Sequence, residues 1–277
     1  MYSLFWYKVK TIFKENNSGV LNYSILQAII KGSYLDTFQK SDWTKGAPIF
    51  FHINDKKITT KLKRNQEFTL EIIISLHNLK EVNKIITSLK KRMSIKKNQK
   101  RYSLISIDKP ELRNLEILEK EFYKKYNINI NIKNNEIIIN FLTPYGMPQK
   151  KTHVSGWMDT NKFLFKFKER LNNFFKLNLE IKNEEYIKEN IKITPHWKYI
   201  EHYTHKSKSQ PNTQIVKGFI GKLYIKGDIK SIMPVLIIGL ELHTGSRISN
   251  SQGYYEIIFT FSARGPFSPS TTSIVTF

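Results

Sequence analysis

The chain contains no cysteine. That excludes disulfides, thiolate zinc sites and thiol nucleophiles. Acidic residues are scarce: 23 Asp and Glu stand against 45 Lys and Arg, a net charge of +22 over 277 residues. The carboxylates form no cluster of the kind that two-metal nucleases use, so the expectation is a protein without a metal or other cofactor. No apolar run approaches the roughly 18 residues of a membrane span. The opening "MYSLFWYKVK" is broken by Lys8 and Lys10 and carries no signal-peptide core or cleavage site. The expected location is therefore cytoplasmic, with no membrane partner. No histidine precedes His52.

What is present points to a polyanionic partner, nucleic acid ahead of a membrane surface. A genome bias toward Lys, Asn and Ile would raise the lysine count but would not by itself thin out the acids. Fourteen Tyr and 18 Phe supply rings on which bases can stack. Hydrophobic residues make up 40% of the chain, enough for a substantial core.

Strand and helix signals alternate. "FTLEIIISL" (68–76) is rich in β-branched residues and reads as a buried strand. "LKEVNKIITSLKKR" (79–92) places Leu79, Val82, Ile85, Ile86 and Leu89 at helical spacing, with lysines opposite. "YSLISI" (102–107) returns as a strand, and "ININI" (128–132) with "EIIINFL" (136–142) reads as a hairpin about "KNN". "TPYGMPQKK" (143–151), with its prolines and glycine, reads as a linker near the midpoint. The second half repeats the logic. "NKFLFKFKERLNNFFKL" (161–177) is an amphipathic helix whose inward residues include Phe163, Phe167, Leu171, Phe174 and Phe175. "GFIGKLYIKG" (218–227) is a strand, and Asp228 is placed to cap the helix after it. Pro234 bends that helix or confines its start. "YYEIIFTF" (254–261) is the closing strand. These elements predict an α+β chain of two antiparallel sheets: an N-terminal domain over 1–143, a C-terminal domain over 144–261, and an extension over 262–277.

In the C-terminal half, Gly218 and Gly221 open a strand, a short helix holds Pro234, and a loop bracketed by Gly245 and Gly253 leads into the last strand. "NFLTPYG" (140–146) precedes them, and the basic, tyrosine-containing "HWKYIEHYTHKSKSQ" (196–210) lies just ahead of the first glycine pair. This order resembles the CRISPR repeat-processing endoribonucleases of the RAMP superfamily. The resemblance covers residues 140–261 well and 46–107 more weakly. It implies two tandem ferredoxin-like (RRM-like) domains. It also implies cleavage within the repeats of a CRISPR precursor transcript, giving guide RNA with a 2′,3′-cyclic phosphate. The partners it implies are CRISPR repeat RNA and other CRISPR effector subunits, the chain acting as monomer or homodimer. Two features depart from the family. Ser251 stands where the loop usually has a glycine, and no histidine lies in the first helical region. A non-catalytic subunit that holds guide RNA is the alternative.

Metal-free cleavage of RNA needs in-line positioning, a proton acceptor, a proton donor and positive charge at the phosphorus. Histidine suits the proton work. The catalytic candidates are His202 and His205 in "EHYTHKSKS", and His52 in "APIFFHIND" as a substitute for the missing early histidine. Tyr203, Lys206 and Lys208 are expected to contact RNA, as are Gly218, Gly221, Gly245 and Gly253. Arg247 between the last two is expected to clamp a phosphate or stack on a base. The lysine-rich run 90–101 is a further candidate for phosphate contact. His243, near the end of the last helix, is read as a cap, and His153 and His196 as residues of connecting segments.

Overall fold

A computed structural model describes residues 5–38, 49–53, 61–76, 78–95, 101–126, 136–146, 160–175, 182–203, 215–244, 253–260 and 272–273. The chain divides into two compact units, one built on residues up to Asn114 and one beginning at Leu115.

The first unit carries β1 (Phe5–Glu15), β2 (Gly19–Val20), α1 (Tyr23–Leu35), β3 (Ile49–Ile53), β4 (Lys61–Leu62), β5 (Glu67–Ile74), α2 (Leu79–Ser94), β6 (Tyr102–Ile107) and β7 (Glu111–Asn114). Its main sheet has the order β3-β5-β1-β6, with β7 also on β1 and every pair antiparallel. With α1 after the first strand and α2 before the last, this is a ferredoxin-like βαββαβ arrangement. The helical spacing read over 79–92 holds. Val82, Ile85, Ile86 and Leu89 are buried against Val9, Leu70 and Ile72. Leu79 differs, at 46% exposed. It sits in the first turn, just after Asn78, whose side chain caps the helix by accepting from the Lys80 N–H at 2.8 Å.

The second unit carries α3 (Leu115–Tyr126), β8 (Glu136–Tyr145), α4 (Thr160–Phe175), α5 (Glu184–Asn190), β9 (Ile191–Tyr203), β10 (Ile215–Gly227), a 3₁₀ turn (Ile229–Ser231), α6 (Met233–Leu242), β11 (Tyr255–Thr260) and β12 (Thr272–Ser273). Its sheet order is β12-β11-β8-β10-β9, again antiparallel. The path β8–α4–β9–β10–α6–β11 repeats the βαββαβ order, so the chain holds two ferredoxin-like folds in tandem. Phe163, Phe167 and Leu171 of α4 are buried, as are Leu223 and Ile225 of β10. α6 is buried, apart from a half-buried Pro234, and apolar except for the buried Glu241. That proline lies in the first turn, where a missing N–H costs no helical bond.

Several expectations change. The two compact units divide at Asn114/Leu115, and β8 belongs to the second sheet through its pairing with β10 and β11. The expected linker begins inside that strand, where Thr143 and Tyr145 are buried. The first arm of the expected hairpin, 128–132, lies outside the described residues, as does most of the extension. Asp228 does not cap through its side chain. Its carboxylate instead accepts from the Tyr186 hydroxyl at 2.9 Å.

Candidate nucleic-acid interface

His52 lies in β3 directly opposite Glu71 of β5. It is 5% exposed, and its Nε2 is 2.7 Å from Glu71 Oε2. Lys8 Nζ stands 3.9 Å from the same carboxylate oxygen. The His52 ring is thus bonded to a carboxylate in a largely buried part of the sheet. His243 is fully buried at the C-cap of α6 with φ 57°, its N–H donating to Gly239 O at 3.0 Å and its ring 5.1 Å from that of Tyr254. Its capping role is thus carried by the main chain.

His202 and Tyr203 end β9, where their main chains oppose Val216 and Ile215. Their side chains, and the whole of His205, Lys206, Lys208, Gly245 and Arg247, lie outside the described residues. His196 is an exposed member of β9, not of a connecting segment. It faces Lys222 across the ladder, and its ring meets that of Tyr224 edge-on at 4.9 Å.

The glycines have steric reasons for being glycines. At Gly218 a Cβ would come within 2.5 Å of the Tyr145 carbonyl oxygen. At Gly221, with φ +133°, it would come within 2.6 Å of the His196 carbonyl oxygen. The β10–β8 register shifts between Phe219 and Gly221, so both glycines accommodate a bulge between close strands. Gly253 has φ +77°, and a Cβ there would run into the Thr244 carbonyl. Around it the base of the glycine-bracketed loop is closed by main-chain bonds. The Thr244 N–H donates to Gly253 O at 3.1 Å, and the Gly253 N–H to Pro144 O at 2.9 Å. The Tyr254 N–H donates to Thr143 Oγ1 at 2.8 Å. Thr143 and Pro144 are therefore bonded to Gly253 and Tyr254, although 110 residues separate Thr143 from Gly253.

Part of the lysine-rich run serves the fold. Arg92 clamps Asp36 through two bonds, at 2.6 and 2.5 Å, and Ser88 Oγ donates to the same carboxylate at 2.6 Å. The Arg92 bond is the main cause that holds the Asp36 carboxyl below its ordinary range. Arg101 reaches the buried Glu15 at 3.4 Å and donates to the Val20 carbonyl. Burial nevertheless holds the Glu15 carboxyl above its ordinary range. Lys90 and Lys91 stay exposed on α2. Among the described residues no cluster of three His, Asp or Glu is arranged to hold a metal, and no helix is long and apolar enough to cross a membrane.

No family model matches the chain. No curated protein matches it by sequence. Solved structures match it along nearly its whole length. A product complex of a Thermus thermophilus Cas6 superimposes with a TM-score of 0.58 at 9% identity, covering 91% of this chain and 99% of that one. A structure described as a RAMP protein binding different RNA substrates gives 0.52 at 12% identity, over 91% and 100%. The product of a Cas6-related gene from Pyrococcus furiosus gives 0.53 at 14% identity, over 91% and 98%. The tandem ferredoxin-like fold is the one these proteins share.

Proposed function

We propose that this chain binds the repeat segment of CRISPR transcripts and cuts it once per repeat without a metal. The observation that carries the reading is the match of both ferredoxin-like units, over 91% of the chain, to the structure of a Cas6 product complex. The charge of +22 fits a polyanionic substrate. In the proposed reaction the 2′-hydroxyl gives its proton to a base and attacks the adjacent phosphorus. The bond to the 5′-oxygen breaks, that oxygen takes a proton from an acid, and a 2′,3′-cyclic phosphate and a 5′-hydroxyl remain. His202 and His205 are the proposed proton carriers, with Tyr203, Lys206 and Lys208 beside them on the chain. Arg247, in the loop closed by Gly253, would steady the charge on the phosphorane. DNA lacks the attacking hydroxyl and would bind without being cut.

A second reading has one observation in its favour. His52, the earliest histidine, is engaged by Glu71 inside the sheet, which fits a chain that holds guide RNA without cutting it. Incubation of repeat RNA from the chain's own CRISPR locus in EDTA separates the two readings. A single cut, abolished by a 2′-deoxy at the scissile nucleotide and lost in His202→Ala/His205→Ala with binding kept, supports the transesterase. Tight, repeat-selective binding with no cut supports the holder.

A further inference from the structure

Strand periodicity sorts β9 and β10 into two faces. Ile191, Ile193, Leu223 and Ile225 turn inward and are buried. Lys192, Thr194, His196 and Lys198 of β9 and Lys222 and Lys226 of β10 lie on the opposite face and are exposed. The register sets Lys222 opposite His196, Tyr224 opposite Thr194, and Lys226 opposite Lys192. One ring pair, His196 with Tyr224, thus sits among four lysines. Lys226 is held by Glu136 at 2.8 Å. Lys192, Lys198 and Lys222 have no such acidic partner among the described residues. Lys192 stands directly opposite Lys226, whose charge Glu136 offsets, so Lys192, Lys198 and Lys222 are the three charges left to meet a polyanion.

We propose that this face of β9 and β10 is a second RNA-contact surface, which takes one unstacked base on the His196–Tyr224 ring pair and the neighbouring phosphates on Lys192, Lys198 and Lys222. A ring open to solvent offers the stacking that a single strand can use and a duplex cannot, because duplex bases are already stacked. Alternate residues along a strand stand about 6.7 Å apart, so Lys198 lies about 6.7 Å from His196 on one side and Lys192 about 13 Å on the other, with Lys222 across the ladder. His196 lies about 20 Å along β9 from His202. The surface therefore takes a single-stranded segment a few nucleotides from the proposed cut. The inference rests on the RNA-binding part of the proposed function and not on cleavage.

The test is fluorescence anisotropy of a short labelled oligouridine and of an RNA duplex of equal length, across a salt series. His196→Ala/Tyr224→Ala is expected to lose roughly tenfold in affinity for the single strand, with the duplex almost unaffected. Tyr224→Phe, which keeps the ring, is expected to bind like the wild type. Lys192→Ala/Lys198→Ala/Lys222→Ala is expected to lower the salt slope for the single strand by about 2, at roughly 0.7 per phosphate contact. Wild-type oligouridine affinity and slope in both variants overturn the proposal. Equal losses on single strand and duplex in His196→Ala/Tyr224→Ala overturn the stacking. Loss of oligouridine binding in a protein that never cuts repeat RNA leaves the surface standing and removes only the endonuclease. A cut repeat with unchanged oligouridine binding removes only the surface.

Discussion

At the scale of single residues, backbone geometry decides more than side-chain chemistry. Gly253 holds φ +77° against the Thr244 carbonyl, so Gly253→Ala must shift the base of the loop. It is expected to cost about 1–3 kcal/mol, read by urea unfolding, and to weaken repeat-RNA binding more than oligouridine binding. His52 tests the opposite case. His52→Ala removes the partner of a largely buried carboxylate, for an expected loss of about 1–3 kcal/mol, while cleavage of repeat RNA continues at the wild-type rate. Loss of the cut in a folded His52→Ala protein would instead mark His52 as a catalytic residue. The Arg92–Asp36 clamp gives a pH signature. Asp36 is held below its ordinary value, so its contribution is fully present above the unfolded aspartate range near about 3.9 and is lost as pH falls through the lower folded value. The melting-temperature gap between wild type and Asp36→Asn should be constant near neutrality and shrink on acidification. For a pair this exposed the gap corresponds to about 1 kcal/mol or less.

At the scale of elements, packing against named neighbours explains what local pattern did not. Gly239 sits in the middle of α6, where a Cβ would collide with the Tyr255 hydroxyl and the Phe167 ring. Propensity alone would favour alanine there. The expected outcome of Gly239→Ala is instead a loss of about 1–3 kcal/mol from overpacking, measured by chemical denaturation. Tyr255 donates to Leu236 O at 2.6 Å, and burial holds its hydroxyl well above the ordinary tyrosine range. The amphipathic α2 and the β-branched β5 and β6 were legible because their own periodicity reports their burial. Thr143–Pro144 read as linker because proline and glycine mark turns. Their strand role depends on β10, β11 and the Gly253 loop, far away in sequence. His196 was passed over for a related reason. It follows Pro195, which reads as a break in a strand, and only the register with Lys222 and the ring contact with Tyr224 reveal it as part of a surface. Gly218, Gly221 and Gly253 read as RNA contacts from their order alone, and the structure gives each of them a steric reason as well.

At the scale of the whole molecule, two ferredoxin-like folds carry a large positive charge on a chain with no cysteine. The two units share a topology without residue-level repetition, so sequence periodicity suggested two α+β halves from the order of elements alone. An excess of this size is expected to make every RNA affinity fall steeply with salt, whichever reading of the function holds. Salt dependence therefore cannot separate cutting from holding; the chemistry can. The direct measurement is cleavage of the chain's own repeat RNA in EDTA, beside the same RNA carrying a single 2′-deoxy at the scissile position. The account predicts one cut, a 2′,3′-cyclic phosphate on the upstream fragment, and no cut in the deoxy substrate. Tight repeat binding with no product, or a cut that requires a divalent ion, would contradict it.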